Sequence, residues 1–219
     1  MQLRDNTLPM DRFIRKANRL QVPGIYEGGQ YYFVTILVKD RACIFDILES
    51  GDYLFPKSGD TVVAFTFSQI VADCIVELES IFEGVKIYDW VIMPNHVHAI
   101  ITLKPGSKSK FTQKNINLGD IVKSFKTQSQ SRIVTATTVS PHLVKNLPYN
   151  FNYHKLWHKS FHDHIIRSEA EMFAIRKYIQ DNPMSWELDE FIPIPLLTYQ
   201  VLELSELQSL SWNEREEYD

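Results

Sequence analysis

Two apolar runs separated by a short polar turn occupy the middle of the 219-residue sequence. The first run ends at Met93, the turn is Pro94-Asn95, and the second run, residues 96–103, begins with His96 and His98. Two extended segments joined by so short a turn predict a pair of antiparallel strands. Alternate side chains of a strand point to the same face, so the two imidazoles are expected to lie side by side.

The two histidines of the second run admit two interpretations. Imidazoles held side by side on a rigid strand, next to a turn, supply half of a metal site. The alternative is a pair of strand histidines that are hydrogen-bonded to their neighbours. A His-x-His spacing alone does not decide between these interpretations, because a short motif needs its structural context.

Length and composition bound the class of protein. A chain with 44% hydrophobic and 23% charged residues is typical of a globular protein, either one domain with extensions or two small domains. Cys43 and Cys74 lie among apolar residues without zinc-type spacing, so we expect two buried thiols in a reducing compartment. No apolar stretch resembles a signal peptide or reaches the length of a membrane span. We therefore expect a cytoplasmic protein with no membrane partner.

Charge is distributed unevenly along the chain, although the net charge is only −4. Between Lys104 and Lys177 there are 13 lysines and arginines against four acids, and this segment holds five of the seven histidines. After residue 177 there are ten acids against a single arginine. The basic middle is a candidate surface for a polyanion. On charge alone, a solvated lysine-rich surface explains it equally well.

Hydrophobic periodicity and turn residues predict the secondary structure along the chain. Strands are expected at residues 31–38, 85–93, 96–103 and 156–158. Helices are expected at residues 65–82, ended by Gly84, at residues 118–133, and from a Ser168–Glu171 capping box to Asn182-Pro183. Loops are expected at residues 104–117 and 134–154, and a loop or a short hairpin at residues 46–61. Residues 41–45 are expected to extend the first strand past a kink.

The order of these elements predicts the fold. Strand, helix, strand, strand, helix and strand, followed by one more helix, is the ferredoxin-like split βαβ plan. We therefore expect an α+β protein whose antiparallel sheet has helices on one face, with a separate C-terminal helix. Residues 25–187 would form this domain, between an N-terminal basic arm at residues 1–24 and an acidic C-terminal extension at residues 188–219.

The last predicted helix carries two further candidate site residues. Tyr178 and Asn182 are four residues apart and therefore share one helix face. A phenol of pKa ~10 needs roughly 4 kcal/mol of differential stabilisation to ionise near neutral pH, and a neighbouring divalent cation can contribute to it. An amide oxygen and phosphate oxygens beside two imidazoles favour magnesium or manganese over zinc. A surface tyrosine and an ordinary helix-end asparagine are the alternatives.

Four motifs together carry a resemblance to a known family. They are Met93-Pro94-Asn95-His96-Val97-His98, Ser124-Phe125-Lys126, the segment at residues 156–167 that starts Leu156-Trp157-His158, and Tyr178-Ile179-Gln180-Asp181-Asn182-Pro183. In this order they resemble the single-tyrosine HUH transposases, in the branch associated with REP sequences. The resemblance covers roughly residues 25–187. The chain departs from the family at His158, where glutamine is more common, and at His162, where tyrosine is frequent.

The resemblance implies a metal-dependent DNA transesterase. His96, His98 and Asn182 would bind a divalent metal, Mg²⁺ or Mn²⁺. Tyr178 would attack a phosphodiester of single-stranded or hairpin DNA, which leaves a 5′-phosphotyrosine and a free 3′-hydroxyl. Such a protein would work in the cytoplasm at the nucleoid, as a monomer or a homodimer.

Several other residues are candidates for contacts with DNA. Lys123, Lys126 and Arg132 on the second predicted helix are expected to bind phosphates. Tyr149 and Tyr153 can stack on bases, and Tyr153 is the second candidate for the nucleophile. Four histidines cluster in the sequence without a cysteine, so structural roles or contacts with the DNA backbone are favoured over a zinc site. The four are His154, His158, His162 and His164. Asp163 either orients a site histidine or makes a loop contact.

Two other functions remain compatible with the sequence. A catalytically inactive, domesticated relative would still bind single-stranded or hairpin DNA without cutting it. A metal-dependent phosphodiesterase that uses water would need the histidines but not the tyrosine. The sequence leaves open the DNA recognition sequence, and whether Tyr178 serves its own chain or a dimer partner.

Overall fold

The computed structural model describes residues 24–52, 66–139, 151–184 and 186 of the chain. The basic arm, the acidic extension and Tyr149 lie outside the described residues, apart from Gly24 at the end of the arm. The division of the chain at residues 24 and 187 therefore stays a prediction. Within the described residues, no helix combines the length and the apolar character that crossing a membrane requires.

A five-stranded antiparallel sheet forms the centre of the fold. Its strands are β1 (Gln30–Leu37), β2 (Leu48–Glu49), β3 (Phe82–Met93), β4 (His96–Ser109) and β5 (His162–Ile166), in the spatial order β2-β3-β4-β1-β5. The helices are α1 (Phe67–Ile81), α2 (Leu118–Val139) and α3 (Glu169–Asp181). This order and connectivity confirm the predicted α+β ferredoxin-like fold.

The two faces of the sheet are covered by different helices. On β4, Val97, Ala99 and Ile101 join the large core formed with α1 and α2. Ile100 points the other way and joins a smaller core with Ile175 and Ile179 of α3, among others. Because side chains alternate along a strand, His96 and His98 share the face of Ile100. This side of the sheet, beneath α3, is called the histidine face.

The turn before β1 fixes how β1 pairs with β4. The Gly29 N–H donates to the carbonyl of Leu103 at 2.8 Å, and the ladder that follows places Thr35 directly opposite His98. Gly28 has a φ of 122°, and a Cβ built there would lie 2.5 Å from the carbonyl oxygen of Lys104. Only glycine fits this approach of two backbones.

The strand pair of β3 and β4 is longer than predicted. The first helix ends at Ile81, β3 starts at Phe82, and β4 continues to Ser109, into the segment predicted to be a loop. Gly84 does not end the helix. It lies within β3 at a φ of 77°, where the register with β4 shifts. A glycine after an apolar helical pattern predicts a helix stop, but a glycine within an irregular strand gives the same signal in the sequence.

The predicted strand at residues 156–158 is also wrong. Trp157 makes only an isolated bridge to Val38, and its indole N–H donates to Ser129 Oγ at 2.9 Å. The fifth strand is β5, further along the chain, and α2 extends past the predicted end at residue 133. Residues 39–41 form a 3₁₀ turn, and no strand continues through residues 41–45.

The predicted N-cap of α3 forms, with one difference from a standard capping box. Ser168 caps α3 as predicted, because its Oγ accepts from the Glu171 N–H at 3.1 Å. The Glu171 carboxylate accepts from the Arg167 N–H at 2.6 Å, one residue before the position of a standard capping box.

Cys74 is buried as predicted, whereas Cys43 is exposed. Cys43 lies in the segment that was wrongly expected to continue β1, so its apolar neighbours did not indicate burial.

Replacing Gly28 with alanine should destabilise the protein by about 1–3 kcal/mol, because the backbone must move away from Lys104 or remain strained. Gly51→Ala is the matched control, since nothing lies within 4 Å of a Cβ at that position. It should change stability by no more than about 0.5 kcal/mol. Urea unfolding followed by tryptophan fluorescence measures both. Equal stability of the two variants would contradict the assigned turn geometry.

Candidate active site on the histidine face

The imidazoles of His96 and His98 converge at the start of β4. Both residues are buried, and their Nε2 atoms lie 2.9 Å apart with the ring planes at 72°. The spacing follows from the strand, which places alternate side chains on one face. The strand thus delivers two ring nitrogens to a single point beneath α3.

The outer ring nitrogens are held by hydrogen bonds. His96 Nδ1 lies 2.6 Å from Asn95 Oδ1, and His98 Nδ1 lies 2.9 Å from Thr35 Oγ1. An amide oxygen can only accept, so the proton of neutral His96 sits on Nδ1 and its Nε2 lone pair faces His98. Threonine can donate or accept, so His98 can carry its proton on either nitrogen. Such bonds to outer nitrogens orient histidine ligands in metal sites.

Burial keeps both imidazoles neutral. Desolvation lowers the pKa of His96 to about 4, and the positive charge of Arg41 adds to this effect. Desolvation, followed by the proximity of His96, holds the pKa of His98 well below its ordinary value. At neutral pH, neither ring carries the second proton that would block coordination.

The geometry fits a divalent cation held by few protein ligands. Two ligands at right angles around an ion, each at about 2.1 Å, are about 3 Å apart, which matches the separation of the two Nε2 atoms. Among the described residues, no three His, Cys, Asp or Glu side chains form a group that could hold a metal ion. Within that part of the chain, a third protein ligand would therefore be of another type, such as an amide.

Asn182 is a candidate for such an amide ligand. It is the C-cap residue of α3, it is buried, and its Oδ1 has no hydrogen-bond partner within the described part of the chain. In the sequence it lies four residues after Tyr178, whose ring is 5.4 Å from that of His98, and four residues before Trp186, whose ring is 6.1 Å from that of His96. A buried acceptor without a donor is costly unless something occupies it.

Tyr178 faces the imidazoles from α3 of the same chain. Its Oη lies 3.4 Å from His98 Nε2, and its ring packs edge-on against Phe33. The neighbouring helix residues Ile175 and Ile179 are buried in the core of the histidine face, which turns the intervening phenol towards β4. The phenol and both imidazoles thus meet on one side of the sheet.

Backbone hydrogen bonds hold the turn that precedes His96 against the segment after β1. The Val38 N–H donates to the carbonyl of Asn95 at 2.8 Å, and the N–H groups of Ile44 and Phe45 donate to the carbonyl of Pro94. These bonds fix the position of Asn95, whose side chain is the hydrogen-bond partner of His96. Neither Thr35 nor the side chain of Asn95 was predicted to belong to the site. Asn95 was recognisable as the neighbour of a site histidine, whereas Thr35 required knowledge of the strand register.

The three predicted phosphate contacts lie on α2, which packs against the opposite face. Lys123 is exposed. Lys126 Nζ donates to the carbonyls of His158 and Ser160 at 2.9 and 2.8 Å, and Arg132 forms a two-pronged ion pair with Glu77. These contacts give Lys126 and Arg132 structural roles. Their binding of phosphate stays a prediction.

The remaining candidate residues are dispersed. Asp163 points to the α1/α2 side and accepts from the Tyr26 hydroxyl at 2.7 Å, so it does not orient a site histidine. Tyr153 packs against the core on that same side, away from the histidine face. It is therefore badly placed as a nucleophile. His164 contacts Glu171, His158 Nδ1 accepts from the Ser160 N–H, and His154 stacks on Tyr153.

The fold and the site together define an antiparallel ferredoxin-like sheet that presents a buried histidine pair to a helix tyrosine. This is the arrangement that the motifs of the sequence imply through their resemblance to single-tyrosine HUH transposases. No protein-family model matches the chain. An uncharacterized protein of Haemophilus influenzae is 28% identical over 178 residues, which cover 75% of this chain and 86% of that protein.

Two solved structures of transposases are similar to the chain. One is a REP-associated tyrosine transposase bound to a REP hairpin, with 16% identity, a TM-score of 0.46, and coverage of 77% of this chain and 74% of the other. The second is a putative transposase from Deinococcus radiodurans, with 20% identity, a TM-score of 0.34, and coverage of 69% and 88%.

Replacing Thr35 with valine should weaken Mn²⁺ binding by about 10–100-fold, because His98 loses the partner of its outer nitrogen. Thr35→Ser should restore most of the affinity. Thr102→Val is the matched control, since Thr102 lies on the same strand pair and its hydroxyl donates to the carbonyl of Gln30. Titration of free Mn²⁺ by electron paramagnetic resonance measures the affinities. Equal affinities of the two valine variants would contradict the role of Thr35.

Proposed function

We propose that this protein is a metal-dependent transesterase that cleaves and rejoins single-stranded or hairpin DNA through a tyrosine intermediate. The observation that carries the proposal is the convergence of Tyr178 Oη with the Nε2 atoms of His96 and His98 on one face of the sheet. The distances of 3.4 Å and 2.9 Å bring a nucleophile and two metal ligands to a common point. The four motifs that match single-tyrosine HUH transposases, in the same order, supply the reaction class.

The proposed cofactor is Mg²⁺ or Mn²⁺, held by His96, His98 and Asn182. When bound, it would polarise the scissile phosphate and stabilise negative charge on the departing oxygen. Two neutral imidazoles and one amide leave the charge of the ion uncompensated by protein ligands. This favours binding of a DNA phosphate beside it, because the phosphate supplies the missing negative charge.

Tyr178 performs the covalent step in this proposal. Its phenol oxygen attacks phosphorus, a tyrosine–phosphate bond forms, and the bond from phosphorus to the 3′ oxygen breaks. The phenol loses a proton and the departing 3′ oxygen gains one. Rejoining reverses the exchange, so one phosphoester replaces another and no external energy source is needed.

The tyrosine and the histidines belong to one chain in the proposed active form. The contact of α3 with Phe33 and the phenol–imidazole distance of 3.4 Å support this single-chain arrangement. A monomer would then suffice for cleavage. Mixing Tyr178→Phe protein with His96→Ala protein should therefore not restore activity, as it would if a dimer partner supplied the tyrosine.

The decisive experiment incubates the protein with end-labelled hairpin DNA and Mn²⁺, and then separates covalent adducts on a denaturing gel. Tyr178→Phe should reduce adduct formation by roughly 10³-fold or more, because it removes the hydroxyl that lies 3.4 Å from His98 Nε2. His96→Ala should reduce it by about 10²-fold through loss of the cation. Tyr153→Phe is the control and should react at the wild-type rate.

Two experimental results would favour the alternative functions over the proposed one. Binding of hairpin DNA by the wild-type protein without any adduct would identify a DNA-binding protein that no longer cuts. DNA cleavage that survives Tyr178→Phe but is lost in His96→Ala would identify a phosphodiesterase that uses water.

A further inference from the structure

Strand β3 contains a bulge that faces α3. Ile87 pairs with Ile101 and Trp90 pairs with Ala99, so two residues of β3, Tyr88 and Asp89, oppose only one residue of β4. Ile87 and Trp90 both pack towards α1 and α2. The two bulged residues therefore direct consecutive side chains to the histidine face, which a regular strand cannot do.

Asp89 uses this orientation to reach α3. Its Oδ2 lies 2.8 Å from Arg176 Nε, and its side chain is only 13% exposed. Arg176 is two residues before Tyr178 in the helix. The adjacent Tyr88 packs against Tyr31, with the ring centroids 5.5 Å apart and the ring planes tilted by 53°, which supports the bulge against β1. The bulge therefore acts as a fixed support for the middle of α3.

A second polar contact holds the start of α3 from the opposite edge of the sheet. His164 on β5 donates through Nε2 to Glu171 Oε1 at 2.5 Å. Burial raises the pKa of Glu171, but the Arg167 N–H and His164 outweigh burial, so the pKa of the carboxyl is below its ordinary value. A charged Glu171 thus links β5 to the first turn of α3.

Apolar burial alone holds α3 weakly. Of its 13 residues, only Ile175 and Ile179 are fully buried. Two aliphatic side chains one turn apart define which side of the helix faces the sheet, but they resist sliding or pivoting poorly, because hydrophobic contact is not directional. Ion pairs with fixed partners on β3 and β5 supply the missing directional contacts.

We propose that Asp89–Arg176 and His164–Glu171 are positioning contacts that set the reach of the Tyr178 phenol towards the histidine pair. This inference rests on the proposed function, since it concerns the same nucleophile. The two contacts join α3 to β3 and β5. They act through the placement of α3, and an error of about 1 Å in such placement can cost 10²-fold in rate.

The first test compares rates of adduct formation at saturating hairpin DNA and Mn²⁺. Asp89→Asn and Arg176→Gln should each slow the covalent step about tenfold, with DNA affinity changed less than about twofold. Combining them should cost little more than either alone, because one contact is lost in all three proteins. His164→Phe should also slow the step while leaving DNA affinity intact.

A matched control exists on the other side of the sheet. Arg132 and Glu77 form an ion pair between α2 and α1, remote from Tyr178. Glu77→Gln removes an ion pair without disturbing α3, so its adduct rate should equal that of the wild type. Exchanging the charges in Asp89→Arg combined with Arg176→Asp should recover part of the rate. A rate unchanged in Asp89→Asn and Arg176→Gln, or lowered equally in Glu77→Gln, would overturn the inference.

A second measurement does not depend on activity. The nuclear magnetic resonance signals of the ten isotope-labelled tyrosines include one that Tyr178→Phe removes. That signal should shift or broaden in Asp89→Asn and remain unchanged in Glu77→Gln. An unshifted Tyr178 signal in Asp89→Asn would overturn the positioning role. Absence of any adduct with the wild-type protein, together with a shifted signal, would instead refute the proposed function and leave the positioning of Tyr178 established.

Discussion

Two buried imidazole nitrogens facing each other at 2.9 Å are the constraint on which the site depends. Neutral rings cannot direct two lone pairs at one another, so either a proton or a cation must lie between them. The proton of His96 is committed to Asn95, which leaves its Nε2 as an acceptor. Burial then disfavours a second proton on either ring, because the charged form loses its hydration. Without a cation, neutral His98 fills the gap with its own proton on Nε2, while its Nδ1 accepts from Thr35. Moving that proton to Nδ1 frees both Nε2 lone pairs to bind a cation at neutral pH.

The rest of the fold can be understood as the support of that pair. The glycine turn before β1 sets the ladder that brings Thr35 opposite His98. The segment after β1 holds the turn that carries Asn95 through backbone hydrogen bonds. On the other side of the site, α3 is held over the sheet by two isoleucines and by ion pairs to β3 and β5. Each histidine and the tyrosine thus has its own structural support, drawn from a different part of the chain.

Features that depend on local sequence patterns were predictable, whereas features that depend on the pairing of distant segments were not. The central strands, the helices and their order were recognisable from periodicity, and the order alone indicated the ferredoxin-like plan. Thr35 was not identifiable, because its role depends on the register between two strands distant in sequence. The bulge at Tyr88 and Asp89 was hidden for the same reason. Lys126 carried the right charge for a phosphate contact, but the sequence could not indicate that two backbone carbonyls surround it.

The most direct test of the central claim is an anomalous-scattering map of crystals of the protein soaked with Mn²⁺ and measured at the manganese absorption edge. The proposed site predicts one strong peak within bonding distance of the Nε2 atoms of both His96 and His98, on the side facing Tyr178. A map with no peak between these two imidazoles, or with manganese bound only elsewhere on the protein, would contradict it.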